Sequence, residues 1–186
     1  MAIPAASSTL PTLLILASGR GERFLASGGT NHKLQADLCG KTVLERSLDA
    51  ARASGLRWHL EDRGHPGMGD SIAAAVRATP DAAGWLVLPA DLPMIDPQTL
   101  LSMAQAPSEA DVLVPDYRGQ RGHPVRFARR CGDALLALHG EKGASGVVAA
   151  FNSARWPVDD PGCVMDIDTL ADLDRARALF IQKSAG

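Results

Sequence analysis

Near the start of the 186-residue sequence, a short apolar run opens into a glycine-rich basic segment, residues 16–24 (LASGRGERF). Small residues let backbone N–H groups approach phosphate oxygens, and Arg20, Arg23 and Lys33 supply positive charge. The segment is not a Walker A loop, and Phe24 stands where a dinucleotide fingerprint requires glycine or alanine. An anion-binding loop and an ordinary strand-to-helix turn with solvated arginines both fit this pattern.

Carboxylates follow two further apolar runs. Asp91 follows residues 85–88 (WLVL) after Pro89-Ala90, and Asp166 and Asp168 follow the short run Val164-Met165. A carboxylate at the carboxyl end of a strand suits a hard cation such as Mg²⁺ that is bound partly through substrate phosphates. A turn aspartate is the alternative for Asp91. Of Asp166 and Asp168, we expect one to reach a metal and the other to be solvated or to cap the next helix.

Composition excludes several other classes of protein. The 19 basic and 21 acidic residues leave a net charge of −2, which gives no general attraction to nucleic acid. Three cysteines without a CxxC pair argue against a disulfide framework or a zinc knuckle, and favour a reducing cytoplasm. The longest apolar run, residues 13–17, is far shorter than the roughly 20 residues of a membrane-spanning helix. The first basic residue follows that run, which argues against a signal peptide.

Strands and helices alternate along the chain, which predicts an α/β fold with a mostly parallel sheet covered on both faces. We expect residues 1–9 to form a loose tail and residues 10–183 a single domain. The predicted strands are residues 13–17, 58–60, 85–88, 111–115, 124–127 and 164–165. The predicted helices are residues 42–53, 71–78 with Asp70 or Ser71 as N-cap, a helix from Asp96-Pro97, 131–138, 144–151 and a last helix opened by a capping box at Thr169.

Taken in order, the motifs resemble those of the molybdenum cofactor nucleotidyltransferase family, within the glycosyltransferase-A-like nucleotidyltransferases. The resemblance is closest to the cytidylyltransferase branch and also extends to the guanylyl branch. The matches are residues 16–24 for the family's LAAGxGxRMG, Lys33-Leu34 for KL, 40–48 (GKTVLERSL) for GKPVLERSL, 67–72 (GMGDSI) for GMxxSL, 91–93 (DLP) for DxP, 117–127 (YRGQRGHPVRF) for YxGxRGHPVxF, and 166–173 (DIDTLADL) for DIDTPxDL.

This resemblance implies a three-layer, Rossmann-like fold of the nucleotide-diphospho-sugar transferase type, and it implies roles for individual residues. The catalytic residues would be Arg23, Lys33 and Asp91. The nucleotide-binding residues would be Leu16, Ala17, Ser18, Gly19, Arg20, Gly21, Arg23, Lys33, Ser71 and Asp91. Arg121 and His123 would bind the acceptor substrate, and Asp91, Asp166 and Asp168 would bind Mg²⁺.

Three segments depart from the family pattern. The loop between Arg23 and Lys33 is longer than usual, and the family's GDxGAR is replaced by residues 140–145 (GEKGAS). Only 11 residues separate Gly55 from Gly67, where the family fits a strand, a helix and a second strand. A crossover connection alone needs about 10–12 residues. We therefore expect one strand–helix unit to be missing after Gly55, with residues 58–60 as the surviving strand.

The resemblance implies transfer of CMP, or GMP, from a nucleoside triphosphate to the phosphate of molybdopterin, with release of pyrophosphate. Residues 121–124 (RGHP) favour CTP. The implied partners are the nucleoside triphosphate, the acceptor and a molybdoenzyme or its chaperone, with neither nucleic acid nor membrane. Two alternatives stay open: a sugar-1-phosphate nucleotidyltransferase, and a degenerate protein that binds a nucleotide or a partner without catalysis.

Overall fold

The computed structural model describes residues 9–19 and 21–184, and the predicted tail therefore lies almost entirely outside it. Within these residues a seven-stranded sheet has the order β2-β1-β3-β6-β4-β5, and β7 also pairs with β4. The strands are β1 (Thr12–Leu16), β2 (Trp58–Glu61), β3 (Gly84–Pro89), β4 (Val112–Tyr117), β5 (Gln120–Arg121), β6 (Val125–Ala128) and β7 (Ser153–Pro157). The helices are α1 (Glu22–Ala26), α2 (Val43–Ala53), α3 (Met68–Arg77), α4 (Pro97–Gln105), α5 (Gly132–Leu136), α6 (Ser145–Ala150) and α7 (Leu170–Ser184).

Parallel pairing forms the half of the sheet that includes β1, and it covers more residues than the antiparallel pairing. Strand β1 pairs in parallel with both β2 and β3, and β4 pairs in parallel with β7. Strand β6 runs antiparallel between β3 and β4. The expected α/β class with a mostly parallel sheet is confirmed.

Alternate side chains of β1 enter two separate cores. Leu13 and Ile15 pack on one face with residues of α2, α4 and α7. Leu14 and Leu16 pack on the other face with residues of α3, α5 and α6. Full burial of each such side chain contributes roughly 1.5–3 kcal/mol. The three-layer arrangement follows from this run of consecutive apolar residues, which suits a strand that is covered on both sides.

Local capping signals locate three of the helices correctly. Thr42 and Glu45 form a reciprocal capping box at the start of α2. The side chain of Asp96 accepts a hydrogen bond from the backbone N–H of Gln98, and Pro97 occupies the first turn of α4. Thr169 and Asp172 exchange backbone-to-side-chain bonds of 2.9 and 3.2 Å at the start of α7.

The predicted start of α3 is wrong, because the helix begins at Met68 and Gly67 is its N-cap. Neither Asp70 nor Ser71 caps it. The carboxylate of Asp70 instead accepts a hydrogen bond from the backbone N–H of Gly140 at 2.8 Å, and the Ser71 hydroxyl donates to the Gly67 carbonyl. Both side chains therefore make hydrogen bonds other than the N-cap bond that their residue types predicted.

The predicted strand at Val164-Met165 is also wrong. A 3-10 turn, Pro161–Val164, occupies this segment because the buried Asp160 carboxylate accepts from the backbone N–H of Gly162 at 2.8 Å. The same carboxylate accepts from the backbone N–H of Asp96 at 2.9 Å and ties the turn to the start of α4. Strand β7 escaped prediction because most of its residues are exposed, so no apolar alternation marks it.

The short segment between Gly55 and Gly67 contains one strand, β2, at the edge of the sheet, and a loop of residues 62–67 that leads into α3. This agrees with the expectation that residues 58–60 survive as a strand at this edge. None of the helices in residues 9–19 and 21–184 combines the length and apolar character needed to cross a membrane.

A buried carboxylate fixes the end of β2. The side chain of Glu61 is 1% exposed and accepts hydrogen bonds from Arg63 Nε and from His65 Nε2, both at 3.0 Å. His59 Nε2 lies 3.5 Å from the same group. The hydrogen bonds from Arg63 lower the pKa of Glu61 to about 2; burial opposes this shift, and His65 and His59 reinforce it. Four residues that are close in sequence thus replace longer-range packing at this edge.

The start of α3 packs directly on the backbone of residues 139–141. A Cβ atom at Gly67 would lie 2.1 Å from the carbonyl oxygen of Gly140, and one at Gly69 would lie 2.8 Å from that of His139. The backbone N–H of Gly69 donates to the Gly140 carbonyl at 2.9 Å. Because both glycines meet backbone atoms, a larger residue at either position must push the two segments apart.

We predict that Gly67→Ala destabilises the protein by about 1–3 kcal/mol, as overpacking in a close contact typically does. The matched control is Gly146→Ala in α6, where a Cβ would meet no atom within 4 Å. That substitution should stabilise the helix by roughly 0.5–1 kcal/mol. Urea unfolding of both variants measures the two effects, and shifts of the same sign would contradict the proposed packing.

We also predict an acid-dependent loss of stability that depends on Glu61. Because its pKa is depressed from the ordinary 4.5 to about 2, its stabilisation is complete above pH 4.5 and is lost as pH falls toward 2. The difference in free energy of unfolding between the wild type and Glu61→Gln should therefore be largest above pH 4.5 and should shrink toward pH 2. Urea titrations across this range test it; a difference that does not vary with pH would contradict it.

Candidate active site

Three neighbouring strands deliver the candidate residues to one edge of the sheet. In the parallel register Leu16 stands beside Glu61 of β2 and beside Pro89 of β3. The segments that follow these strands therefore leave the sheet side by side. Ligands of open α/β sheets bind at the carboxyl ends of the strands, which makes this edge the candidate site.

An ion cluster occupies this edge, with Lys33 at its centre. Lys33 Nζ lies 2.6 Å from Asp91 Oδ2 and 2.7 Å from Asp168 Oδ1, and its side chain is only 12% exposed. Arg23 pairs with the same Asp168 carboxylate, although its own side chain is 80% exposed. The structure thus brings together the three residues expected to be catalytic and a carboxylate expected to bind metal.

The segment from Asp166 to Asp168 is attached to the end of β3. The backbone N–H of Ile167 donates to the carbonyl of Asp91 at 2.9 Å, and the Ile167 side chain is buried. Asp166 and Asp168 flank this anchor and both line the same cavity as Asp91. Neither of them caps α7, because Thr169 and Asp172 cap that helix themselves. Asp166 is exposed, which agrees with the alternative expectation of a solvated carboxylate.

Opposing effects act on the charges of the cluster. Burial alone would lower the pKa of Lys33, but the charges and hydrogen bonds of Asp91 and Asp168 outweigh burial and raise it. The pKa of Asp166 is raised, first by partial loss of hydration and then by repulsion from Asp91 and Asp168. With three carboxylates facing two cations, the cluster retains a net negative charge.

One carboxylate oxygen of the cluster accepts no hydrogen bond from the residues that the structure describes. This oxygen, Asp91 Oδ1, is buried. Among the described residues, no group of three or more His, Cys, Asp or Glu side chains is arranged to hold a metal ion without other ligands. Mg²⁺ is commonly bound by one or two carboxylates together with substrate phosphates and water. The unpaired Asp91 oxygen and the nearby Asp166 fit that incomplete type of site.

Three adjoining cavities lie at this edge, and the first two contain residues of the cluster. The first, here called the Lys33 cavity, has a volume of about 410 Å³. It is lined by Ser18, Gly19, Gly21, Glu22, Arg23, Phe24, Lys33, His65, Pro66, Gly67, Met68, Glu141 and Asp168. Five of the ten expected nucleotide-binding residues therefore border this one space, and Asp91 borders the next cavity. Arg20 lies outside the described residues.

Two of the expected nucleotide-binding residues lie elsewhere, and one supports the cavity from behind. Leu16 is buried and borders the cavity on the side of His123, while Ala17 packs on the core. The buried Ser71 hydroxyl hydrogen-bonds to Ser18 Oγ and so joins α3 to the loop that follows β1. Ser71 therefore acts on the Lys33 cavity through Ser18.

The second and third cavities share Arg121, Gly122 and His123. The second, the Asp91 cavity, contains these residues together with Lys33, Asp91, Asp166 and Asp168. The third, the His123 cavity, is walled mainly by aliphatic side chains from β1, β3, β4, α3 and α6. Burial lowers the pKa of His123, whose Nδ1 lies 3.4 Å from the Val87 carbonyl oxygen. The two expected acceptor-binding residues therefore border the space that adjoins the carboxylates.

The altered loop of residues 140–145 still lines this site. Glu141 borders the Lys33 cavity, and Gly143, Ala144 and Ser145 border the His123 cavity. The segment is held against α3 by the bonds from Gly69 and Asp70. Loss of the family's aspartate and arginine therefore changes the chemistry of the wall without removing the wall.

Two histidines escaped the sequence analysis. His32 Nδ1 accepts from the backbone N–H of Leu34, and His32 Nε2 hydrogen-bonds to the Gly19 carbonyl at 2.5 Å. It thereby ties the turn that presents Lys33 to the glycine-rich loop. His65 lines the Lys33 cavity while bonded to Glu61. In the sequence, His32 stands next to Lys33 and His65 stands just before Gly67-Met68, and these positions are the signals that could have identified them. Neither histidine has the spacing that is typical of metal ligands.

Curated proteins with similar sequences are longer than this chain. The bifunctional protein GlmU of Xanthomonas axonopodis pv. citri is 30% identical over 162 residues, which cover 74% of this chain and 34% of that protein. Phosphoenolpyruvate guanylyltransferase of Rhodococcus erythropolis is 37% identical over 114 residues, covering 60% of this chain and 48% of that protein. The chain thus spans about a third to a half of the length of these relatives.

Solved structures share the fold at lower sequence identity. A nucleotidyl transferase of Methanothermobacter superposes with a TM-score of 0.78 at 19% identity, covering 94% of this chain and 99% of that one. Molybdopterin-guanine dinucleotide biosynthesis protein A of Archaeoglobus fulgidus gives 0.69 at 20% identity, covering 92% and 99%. Rv0371c of Mycobacterium tuberculosis in complex with manganese gives 0.71 at 23% identity, covering 90% and 97%. These likenesses confirm the nucleotidyltransferase-like fold.

A family model matches more than half of the chain. The matched residues, 49–155, include Asp91, Arg121 and His123, whereas Arg23, Lys33, Asp166 and Asp168 lie outside the match and reach the same edge through the fold. The sequence resemblance stated above is therefore confirmed at the level of the family: the chain belongs to the MobA-like NTP transferase domain family.

Proposed function

We propose that this chain transfers a nucleotidyl group, CMP in preference to GMP, from a nucleoside triphosphate to the phosphate of molybdopterin. The observation that carries the proposal is the cluster of Lys33, Arg23 and three carboxylates at the carboxyl end of β3. Such a mixture of buried cation, exposed cation and an unpaired carboxylate oxygen suits a triphosphate that arrives with a divalent cation.

In the proposed reaction, an oxygen of the acceptor phosphate attacks the α-phosphorus of the nucleotide. The bond from the α-phosphorus to the bridging oxygen breaks, and pyrophosphate leaves with that electron pair. The acceptor phosphate is already ionised near neutral pH, so the reaction needs no general base. What the residues must supply is neutralisation of the repulsion between two anions and alignment of the attack with the leaving group.

Lys33 and Arg23 would neutralise the leaving β- and γ-phosphates. Arg23 is exposed and can follow the ligand, whereas Lys33 is held in place by Asp91 and Asp168. The backbone of Ser18, Gly19 and Gly21 lies along the same cavity, where N–H groups can approach phosphate oxygens closely. The fixed ammonium group of Lys33 would therefore position the phosphates, and the exposed guanidinium group of Arg23 would capture them.

Asp91 and Asp166 would hold Mg²⁺, with Asp168 as a third carboxylate nearby. When bound, the ion would supply Lewis-acid neutralisation of phosphate oxygens during transfer. The unpartnered Asp91 Oδ1 supports this assignment, because a buried carboxylate oxygen without a donor is costly unless a ligand completes it. The manganese complex of the structural neighbour Rv0371c supports a divalent cation in this fold.

Arg121 and His123 would bind the acceptor, because they border both the carboxylates and the His123 cavity. Molybdopterin is proposed on the motif resemblance and on the Archaeoglobus structural neighbour. The Rhodococcus relative is named for a smaller acceptor, phosphoenolpyruvate, and for guanylyl transfer. A phosphorylated small acid or a sugar 1-phosphate is therefore the alternative acceptor class, and a non-catalytic nucleotide-binding protein is the alternative to an enzyme.

We place the reaction in the cytoplasm and expect a molybdoenzyme or its chaperone to receive the product. All three cysteines, Cys39, Cys131 and Cys163, are unpaired, which is compatible with a reducing compartment.

Release of pyrophosphate tests the proposal and separates its alternatives. Each of the four nucleoside triphosphates is incubated with Mg²⁺ and either molybdopterin, phosphoenolpyruvate or a panel of sugar 1-phosphates. We expect release with CTP and molybdopterin. Release with another acceptor alone would replace the acceptor assignment, and no release with any pair would favour the non-catalytic alternative.

Replacement of Asp91 should remove the reaction that depends on the divalent cation. We expect Asp91→Asn to lower the rate by about 100-fold or more, the usual loss when one preorganised electrostatic group is removed. Asp174→Asn is the matched control, because Asp174 is exposed on α7 and pairs with Arg177. Equal rates for the two variants would show that Asp91 has no part in the chemistry.

The choice of base is tested by thermal stability. We expect CTP with Mg²⁺ to raise the melting temperature more than GTP does, because a ligand that binds the folded state stabilises it in proportion to its affinity. Asp91→Asn should abolish the part of the shift that requires Mg²⁺. Equal shifts with all four nucleotides would refute the assignment of CTP.

A further inference from the structure

The group around Glu61 connects a buried carboxylate to the wall of the Lys33 cavity. Glu61 accepts from Arg63 and His65 at 3.0 Å and lies 3.5 Å from His59. Of these four described residues, His65 is the one that lines the cavity. His65 therefore connects the buried carboxylate to the ligand space, which Arg63 and His59 do not border.

The bond to Glu61 determines which nitrogen of His65 remains as a hydrogen-bond acceptor. Glu61 is ionised at neutral pH, since its pKa is about 2, and an ionised carboxylate can only accept. His65 Nε2 must therefore carry the proton that it shares with Glu61 Oε1. In the neutral ring the other nitrogen, Nδ1, is then an acceptor. Glu61 thus fixes the tautomer and the orientation of the ring together.

The sheet order places His65 away from the phosphate-binding end. Strand β2, which ends at Glu61, and strand β3, which leads to Asp91, lie on opposite sides of β1. Neighbouring strands are about 4.7–4.9 Å apart, so the ends of β2 and β3 are separated by about 10 Å. A nucleotide whose phosphates contact Lys33 and Arg23 would extend over β1 toward β2. Its base would then reach the part of the cavity formed by His65, Pro66 and Met68.

We infer that His65 determines base specificity by accepting a hydrogen bond from the exocyclic amino group of the base, and that Glu61 is its positioning residue. The inference rests on the proposed function, because it requires a nucleoside triphosphate in the Lys33 cavity. An acceptor at this position favours cytosine over uracil, whose corresponding group is a carbonyl oxygen. Guanine is favoured over hypoxanthine for the same reason, since hypoxanthine lacks the 2-amino group.

The inference is tested by the affinities of two matched pairs of ligands. CTP and UTP form one pair, and GTP and ITP form the other; binding of each to the full chain with Mg²⁺ is measured by calorimetry. The wild type should prefer the amino-bearing member of the pair that it binds more tightly. His65→Ala should reduce that preference about tenfold, the value of one hydrogen bond of roughly 1.4 kcal/mol, with little change for the other member.

Two further variants separate base recognition from support of the fold. Glu61→Gln should weaken the same preference, because a neutral amide no longer fixes the tautomer of His65. His59→Ala is the matched control: it alters a neighbour of the same carboxylate that does not line the cavity, and should leave the preference unchanged. His65→Gln, which retains an acceptor, should restore part of the preference. Each preference is a ratio of two affinities of one variant, so partial unfolding cancels from it.

The outcomes distinguish failure of the inference from failure of the proposed function. If His65→Ala weakens both members of a pair equally, or if His59→Ala reduces the preference as much, His65 does not select the base and the inference is wrong. If the wild type binds neither pair, the proposed function itself fails, and the inference fails with it.

Discussion

Strand β1 is paired on both edges and buried on both faces, and the rest of the molecule depends on that constraint. Its five residues, Thr12–Leu16, pair with β2 and β3 in parallel, while its side chains enter two separate cores. Because both neighbours run in the same direction, their carboxyl ends stand beside its own. This is why three segments lie close together: the glycine-rich loop, the Glu61 group and Asp91. In the chain, 74 residues separate Leu16 from Asp91.

The charges at this edge of the sheet suit a ligand that carries both negative and positive charges. Three carboxylates and two cations at this edge leave an excess of negative charge. Asp91 and Asp168 raise the pKa of Lys33 against the effect of burial, and burial, with repulsion from Asp91 and Asp168, raises the pKa of Asp166. A triphosphate alone would add to the repulsion, whereas a triphosphate with a divalent cation supplies a partner for the carboxylates and for Lys33. The cluster in the free protein is a set of mutual ion pairs whose members can exchange those pairs for ligand contacts.

The segments that depart from the family pattern retain definite structural positions. Residues 140–145 carry Glu141 in place of the family's aspartate and Ser145 in place of its arginine, yet close contact with Gly67 and Gly69 keeps the segment against α3 and in the wall of the site. The shortened segment after Gly55 retains β2, and its end is fixed by the Glu61 group rather than by an additional helix. Both departures alter the chemistry available along the cavity while the sheet edge beneath it stays the same.

The sequence by itself determined the elements whose signals are local. Apolar runs identified β1 and β3, the apolar face of residues 42–53 identified α2, and capping residues identified the starts of α4 and α7 at Asp96 and Thr169. Strand β7 and the true start of α3 were not predictable in this way, because β7 is mostly exposed and α3 begins where its glycines meet the backbone of residues 139–141.

The motif resemblance also supplied the types of residue in the site, but only the tertiary structure decided which of them meet. Lys33 bonds to residues 58 and 135 positions away, and Arg23 bonds to one 145 positions away. The tertiary structure also places Asp166 and Asp168 in one cavity, and it places His65 in the wall of the Lys33 cavity on the side of β2. Apolar periodicity and capping residues reflect contacts between residues that are close in sequence. The contacts between the residues of the site depend instead on the order and register of the strands.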